Sequence, residues 1–93
     1  MYALKTFDCL GIPCELYLAT NKNDLYPYIE SIFEEYKGTT GGYTLLLVEC
    51  KGDILVDYRR PWNSKNLRNT IVLESYYKDE KQGKYVKRDE SNT

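Results

Sequence analysis

Between residues 24 and 37 the chain carries Leu25, Tyr28, Ile29, Ile32, Phe33 and Tyr36 at helical spacing. An α-helix turns about 100° per residue, so these six fall on one face and Glu30, Ser31, Glu34 and Glu35 on the other. One such helix cannot bury its own apolar stripe, and the flanking segments supply the cover. Residues 2–8 and 14–19 alternate in the manner of strands, and residues 43–50, 54–58 and 70–77 are rich in Val, Ile, Leu and Tyr. The order predicts an α+β fold: a single helix packed on one face of a four- to five-stranded mixed or antiparallel sheet, ββαβββ in sequence.

The connections are also legible. Gly11-Ile12-Pro13 turns the first strand into the second, and Asn23 or Asp24 can cap the helix, where Pro27 is tolerated because it comes so early. Gly38 ends the helix and Thr39-Thr40-Gly41-Gly42 reads as a link. Lys51-Gly52 reads as a tight reversal joining residues 43–50 and 54–58 in a hairpin. Residues 59–68 form a polar excursion with a short helical turn near 64–67. Residues 1–78 are expected to make one domain, and 79–93 either a polar tail or, after a turn at Gln82-Gly83, a weak edge strand over 84–87. Two hairpins joined by a helix, then a loop and a last strand, resemble the ubiquitin-like β-grasp topology over residues 1–77. The sequence leaves open whether the first and last strands pair in parallel or the sheet is wholly antiparallel. Conjugating members of that family end in Gly-Gly, whereas this chain ends Glu90-Ser91-Asn92-Thr93, which argues against a modifier role.

Ninety-three residues hold one core, and 42% hydrophobic content is enough to build it. There is no histidine, which removes the side chain best placed for proton transfer near neutral pH and the usual activator of a Cys or Ser nucleophile. Three cysteines without histidine and without Cys-x-x-Cys spacing predict no metal site, and the glycines form no phosphate loop. The expectation is a chain that is not an enzyme and takes no cofactor. No apolar run reaches membrane-span length and the first residues lack a signal-peptide pattern, so no membrane association is expected. Cys9, Cys14 and Cys50 are an odd set, read as free thiols in a reducing, cytoplasmic setting.

Two surfaces are candidates for binding. If residues 43–50 and 54–58 pair as a hairpin, Leu46, Val48 and Leu55 lie on the sheet face away from the helix, and Tyr17, Val72 and Tyr76 share that parity. An apolar patch of this sort suits a protein partner or self-association. Ten tyrosines, too many for a small core, add stiff amphipathic contact area. The second candidate is nucleic-acid binding by Arg59, Arg60, Trp62, Lys65 and Arg68, four cations around the only tryptophan with no acid between them. Its alternative is that Trp62 and Leu67 fold inward while the arginines pair with the acidic first part of the chain: residues 1–57 carry four Lys against nine acids, residues 58–93 nine cations against five. The leading expectation is a small binding protein that occludes or bridges a protein partner through the outer sheet face, as a phage-type inhibitor or accessory protein would.

Overall fold

The structure is a computed structural model that describes residues 1–38, 41–52, 54–79 and 83–88. The expected link through Thr39-Thr40, the start of the turn at Gln82 and the chain beyond residue 88 lie outside the described residues. The elements are β1 (Tyr2–Phe7), β2 (Pro13–Ala19), a 3-10 turn (Lys22–Leu25), α1 (Tyr26–Tyr36), β3 (Thr44–Cys50), a second 3-10 turn (Pro61–Asn63), β4 (Thr70–Asp79) and β5 (Lys84–Arg88). The five strands form one sheet in the order β2-β1-β3-β4-β5, and all four pairings are antiparallel. This is the α+β arrangement with one helix on a sheet. Of the two alternatives left open, the wholly antiparallel one is realised, with β1 between β2 and β3.

Helix entry is set by Asn21, whose Oδ1 accepts from the Asn23 amide at 3.0 Å, two or three residues earlier than the cap at Asn23 or Asp24 expected from the sequence. The side chain thus caps the 3-10 turn, and α1 continues from it with Pro27 in its first turn, where a missing amide costs no hydrogen bond. Leu25, Ile29 and Ile32 bury against Leu4, Leu45, Leu47 and Tyr76. Full burial of each such aliphatic side chain contributes roughly 1.5–3 kcal/mol. Phe33 packs edge-on to Tyr76 at 5.4 Å and stacks on Tyr85 at 4.8 Å. Tyr28 lies at the flank of the stripe, 46% exposed, stacked on Tyr17 at 4.4 Å.

The other end of α1 is tied by a lysine. Lys78 Nζ donates to the carbonyls of Tyr36 and Gly41, the latter at 2.9 Å, placing a cation at the helix C-terminus where the backbone dipole favours one. Beyond it, Tyr85 Oη donates to the Tyr43 carbonyl and accepts from the Tyr43 amide, both at 2.8 Å. Gly42, at φ +139°, sits so close to that hydroxyl that a Cβ would lie 2.7 Å from it.

The expected strand over 54–58 is not formed. Residues 54–69 instead make an irregular strap across the sheet face opposite α1. The period-2 pattern is real: Ile54 is buried and Val56 half-buried while Leu55 and Asp57 face outward. It serves an extended segment lying on a sheet rather than one hydrogen-bonded into it. Ile54, Val56, Trp62 and Leu67 close over Ala3, Leu16, Leu18, Leu46, Val48 and Cys50, giving the sheet a second core. At the base of the strap the Lys51 amide donates to the Asn69 carbonyl at 3.1 Å, so the long connection returns to pair β4 with β3.

Two bulges decide which side chains face which layer. In β4, Leu47 opposes Glu74 but Val48 opposes Val72, leaving Leu73 as an extra residue. One extra residue reverses the side-chain alternation, so Val72 lies opposite α1 while Glu74 and Tyr76 turn towards it. In β2, residues 14 and 15 together oppose Thr6. The buried Thr6 hydroxyl bridges that irregularity, donating to the Glu15 carbonyl at 2.8 Å and accepting from its amide at 2.7 Å.

Candidate binding surface

The six side chains expected on one outer face do not share it. Tyr17 lies opposite Leu4 in the α1-side layer, and Tyr76 is 8% exposed in that core, turned there by the β4 bulge. Leu46 and Val48 do face away from α1, but Val48 is fully buried and Leu46 half-buried beneath the strap. Only Leu55, 68% exposed, and Val72, 39% exposed, remain open. The strands on that side are therefore not the outermost surface there; the strap is.

The strap is braced from within. Asp57 Oδ1 accepts the amides of Arg59 and Arg60 at 3.0 and 3.1 Å, and buried Ser64 accepts the Asp57 amide on Oγ at 3.1 Å. The Lys65 amide donates to the Leu55 carbonyl at 3.2 Å, so the two limbs of the strap are joined. Asn66 takes a left-handed conformation, φ +69°, one that asparagine tolerates better than most side chains. Trp62 donates its indole N–H to the Cys14 carbonyl at 2.9 Å and its ring lies 5.6 Å from Phe7. It anchors the strap to the start of β2 and does not offer a bare ring for stacking.

What the strap presents outward is mixed. Tyr58 is 89% exposed, three residues after exposed Leu55 and directly before exposed Arg59 and Arg60 in the chain. Arg59, Arg60, Lys65 and Arg68 are all exposed, and none makes a side-chain hydrogen bond or ion pair with another described residue. The inward-folding alternative thus holds for Trp62 and Leu67, whereas the expected pairing of the arginines with the acidic part is not found among the described residues. An open depression of about 270 Å³ between Trp62, Lys65, Asn66 and Arg68 completes the polar side of this surface. Tyr58 is not among the residues singled out from the sequence, because its period-2 spacing from Ile54 and Val56 would put it on their inward side in a regular strand.

Titratable groups elsewhere are engaged structurally. Glu74, on the core side of β4, accepts from Tyr26 Oη at 3.0 Å and Tyr76 Oη at 2.5 Å, with Lys87 Nζ at 3.4 Å. Burial by itself would raise its pKa; the two phenol hydrogen bonds and the lysine charge outweigh that and hold it below the usual carboxylate range. The same contacts, with burial foremost, push Tyr76 well above an ordinary phenol. Tyr17 is pushed up to about 12, chiefly by its hydrogen bond to Glu15. Burial under the strap raises the Cys50 thiol. Among the described residues no group of three or more Cys, Asp and Glu side chains is placed to hold a metal ion, and no helix is long and apolar enough to cross a membrane.

The fold and this surface define a class: a small antiparallel α+β domain with one helix and, across the opposite face, a strap that exposes Leu55, Tyr58 and four cations. Compared with known protein families, curated proteins and solved structures, the chain matches none.

Proposed function

We propose that this chain is a small binding protein that occludes or bridges a protein partner, and that its contact is the outer side of the strap rather than the strands beneath. The observation that carries this reading is that one strap exposes Leu55 and Tyr58, 68% and 89% exposed, together with four cations that have no partner among the described residues. Exposed tyrosine and leucine supply contact area that gains from leaving water, and arginine beside them suits an acidic rim on the other protein. The internal hydrogen bonds fix the strap's backbone, so the ordering cost of binding falls mainly on its exposed side chains. Occlusion by such a strap is how an inhibitor or accessory protein of phage type would act, and three unpaired cysteines suit a reducing, cytoplasmic setting.

Affinity purification from the native cell, with and without nuclease, tests the proposal when wild type is compared with the double variant Leu55→Asp, Tyr58→Asp. A protein partner that survives nuclease and is lost with the double variant, whose fold is checked by circular dichroism, supports it. Equal recovery by both chains defeats it.

A second reading, nucleic-acid binding, is favoured by the four cations that share the strap with Tyr58 and are unpaired among the described residues; the stacking surface would be that ring, since Trp62 is engaged. Four phosphate contacts imply an affinity that falls about 10²-fold between roughly 50 and 200 mM salt. Filter binding of single-stranded RNA and DNA at those salts decides it, and no retention at the lower one dismisses the reading.

A further inference from the structure

The two edges of the sheet are built differently. β5 places Lys84, Lys87 and Arg88 among its five residues, whereas β2 has no cation over Pro13–Ala19 and a single acid, Glu15. Charged side chains on an edge strand are a common guard against pairing with another chain, because an edge exposes a row of amides and carbonyls. The start of β2 has local cover: Thr6 takes the Glu15 amide and carbonyl, and the Trp62 indole takes the Cys14 carbonyl. From residue 16 to 19, no backbone group hydrogen-bonds to anything but β1 among the described residues. Alternate residues of an antiparallel edge point their N–H and C=O outward, so this stretch carries open donors and acceptors. Its side chains are half-buried on both faces, Leu16 and Leu18 beside the strap, Tyr17 and Ala19 on the α1 side.

We infer that β2 pairs antiparallel with β2 of a second copy, about a two-fold axis at Tyr17, joining two five-stranded sheets into one. The strand is complementary to itself in that register. Leu16 lies opposite Leu18 of the second copy, Tyr17 opposite its counterpart, and Glu15 opposite Ala19, so apolar groups meet on both faces and the two carboxylates stay apart. Pairing β2 with β5 of another copy would be head-to-tail and would leave a free edge at each end; the two-fold arrangement closes. This inference does not depend on the strap, because Leu55, Tyr58 and the strap cations lie outside β2.

Sedimentation velocity from about 1 to about 500 µM, combined with amide hydrogen exchange, tests it. The wild type should move from 10.9 kDa towards twice that mass as concentration rises. The outward-facing amides of residues 16–19, those of alternate residues not bonded to β1, should then exchange about tenfold or more slowly. Leu18→Lys, which puts a guarding cation on the edge, should stay at 10.9 kDa with those amides unprotected while retaining the wild-type circular dichroism spectrum. If Leu18→Lys unfolds, the wild-type mass and exchange data decide alone. A wild type that remains at 10.9 kDa throughout, a dimer whose outward-facing amides in residues 16–19 exchange as in the monomer, or a folded Leu18→Lys that dimerises like wild type would each overturn the inference.

Discussion

Truncating Leu67 to alanine isolates what the strap contributes to the fold. Leu67 is 3% exposed and packs with Ile54, Val48 and Cys50 on the face opposite α1. Removing its three terminal carbons forfeits about 2.4 kcal/mol of transfer free energy, at about 0.8 kcal/mol for each buried carbon. A residual cavity adds to that, but the site lies between exposed Asn66 and Arg68 on an irregular segment that can settle inward, so the cost should fall in the lower half of the 2–5 kcal/mol range, about 2–3 kcal/mol. For a domain of this size that lowers the melting temperature by about 10–20 °C. Trp62, the only tryptophan, sits in the strap and reports its state directly. Urea unfolding of wild type should therefore give coincident transitions by tryptophan fluorescence and far-ultraviolet circular dichroism, and Leu67→Ala should shift both together. The control, Leu55→Ala at a position 68% exposed, should stay within about 0.5 kcal/mol of wild type. A Leu67→Ala chain as stable as the control, or a wild-type fluorescence transition that precedes the dichroism transition, would refute the packed strap.

Glu74→Gln should flatten the acid limb of the stability curve. A carboxylate held below its unfolded value of about 4.3 contributes stability above that pH, and the contribution is lost as pH falls through the lower folded value. Urea titrations across the acid range should show wild type losing more stability than the variant on descending from neutral pH. Gly42→Ala should destabilise by about 1–3 kcal/mol, because a Cβ there would meet Tyr85 Oη at 2.7 Å in a backbone conformation that disfavours side chains. Gly42→Ala combined with Tyr85→Phe should recover the steric part of that loss, measurable by thermal melting. Trp62→Phe keeps an aromatic ring beside Phe7 but removes the bond to the Cys14 carbonyl, and should cost about 1 kcal/mol in the same melts.

The sequence made the helix readable because Leu25, Ile29, Ile32 and Phe33 repeat at a spacing that only a helix aligns, and it made four strands readable from alternation. It could not separate residues 54–58 from a strand, since Ile54 and Val56 must alternate whether they enter a ladder or lie across one. The distinction rests on where the Lys51 amide bonds, and that is with Asn69 rather than within a hairpin turn. The bulge at Leu73 is invisible for a similar reason: a strand one residue longer on one side has no compositional mark, yet it sends Glu74 and Tyr76 to the opposite face from Val72. Of the candidate contact residues, Leu55 and Val72 are exposed, Leu55 on the strap rather than on a strand of the sheet; Leu46 and Val48 are on the expected side but beneath the strap, and Tyr17 and Tyr76 are across the sheet. The basic cluster was legible as a cluster. That its tryptophan is spent on anchoring could not be read, because the Cys14 carbonyl lies 48 positions away in the chain.

Native-state thiol labelling tests the central claim, that the strap seals the sheet face opposite α1. Cys50 lies under the strap at 4% exposure beside Ile54 and Leu67, while Cys9 is exposed at the β1–β2 turn. Alkylation followed by mass spectrometry should modify Cys9 rapidly and Cys50 about 10³-fold more slowly or less, since Cys50 reacts only when the strap opens. Cys50 labelled as fast as Cys9 in a folded protein would contradict the account.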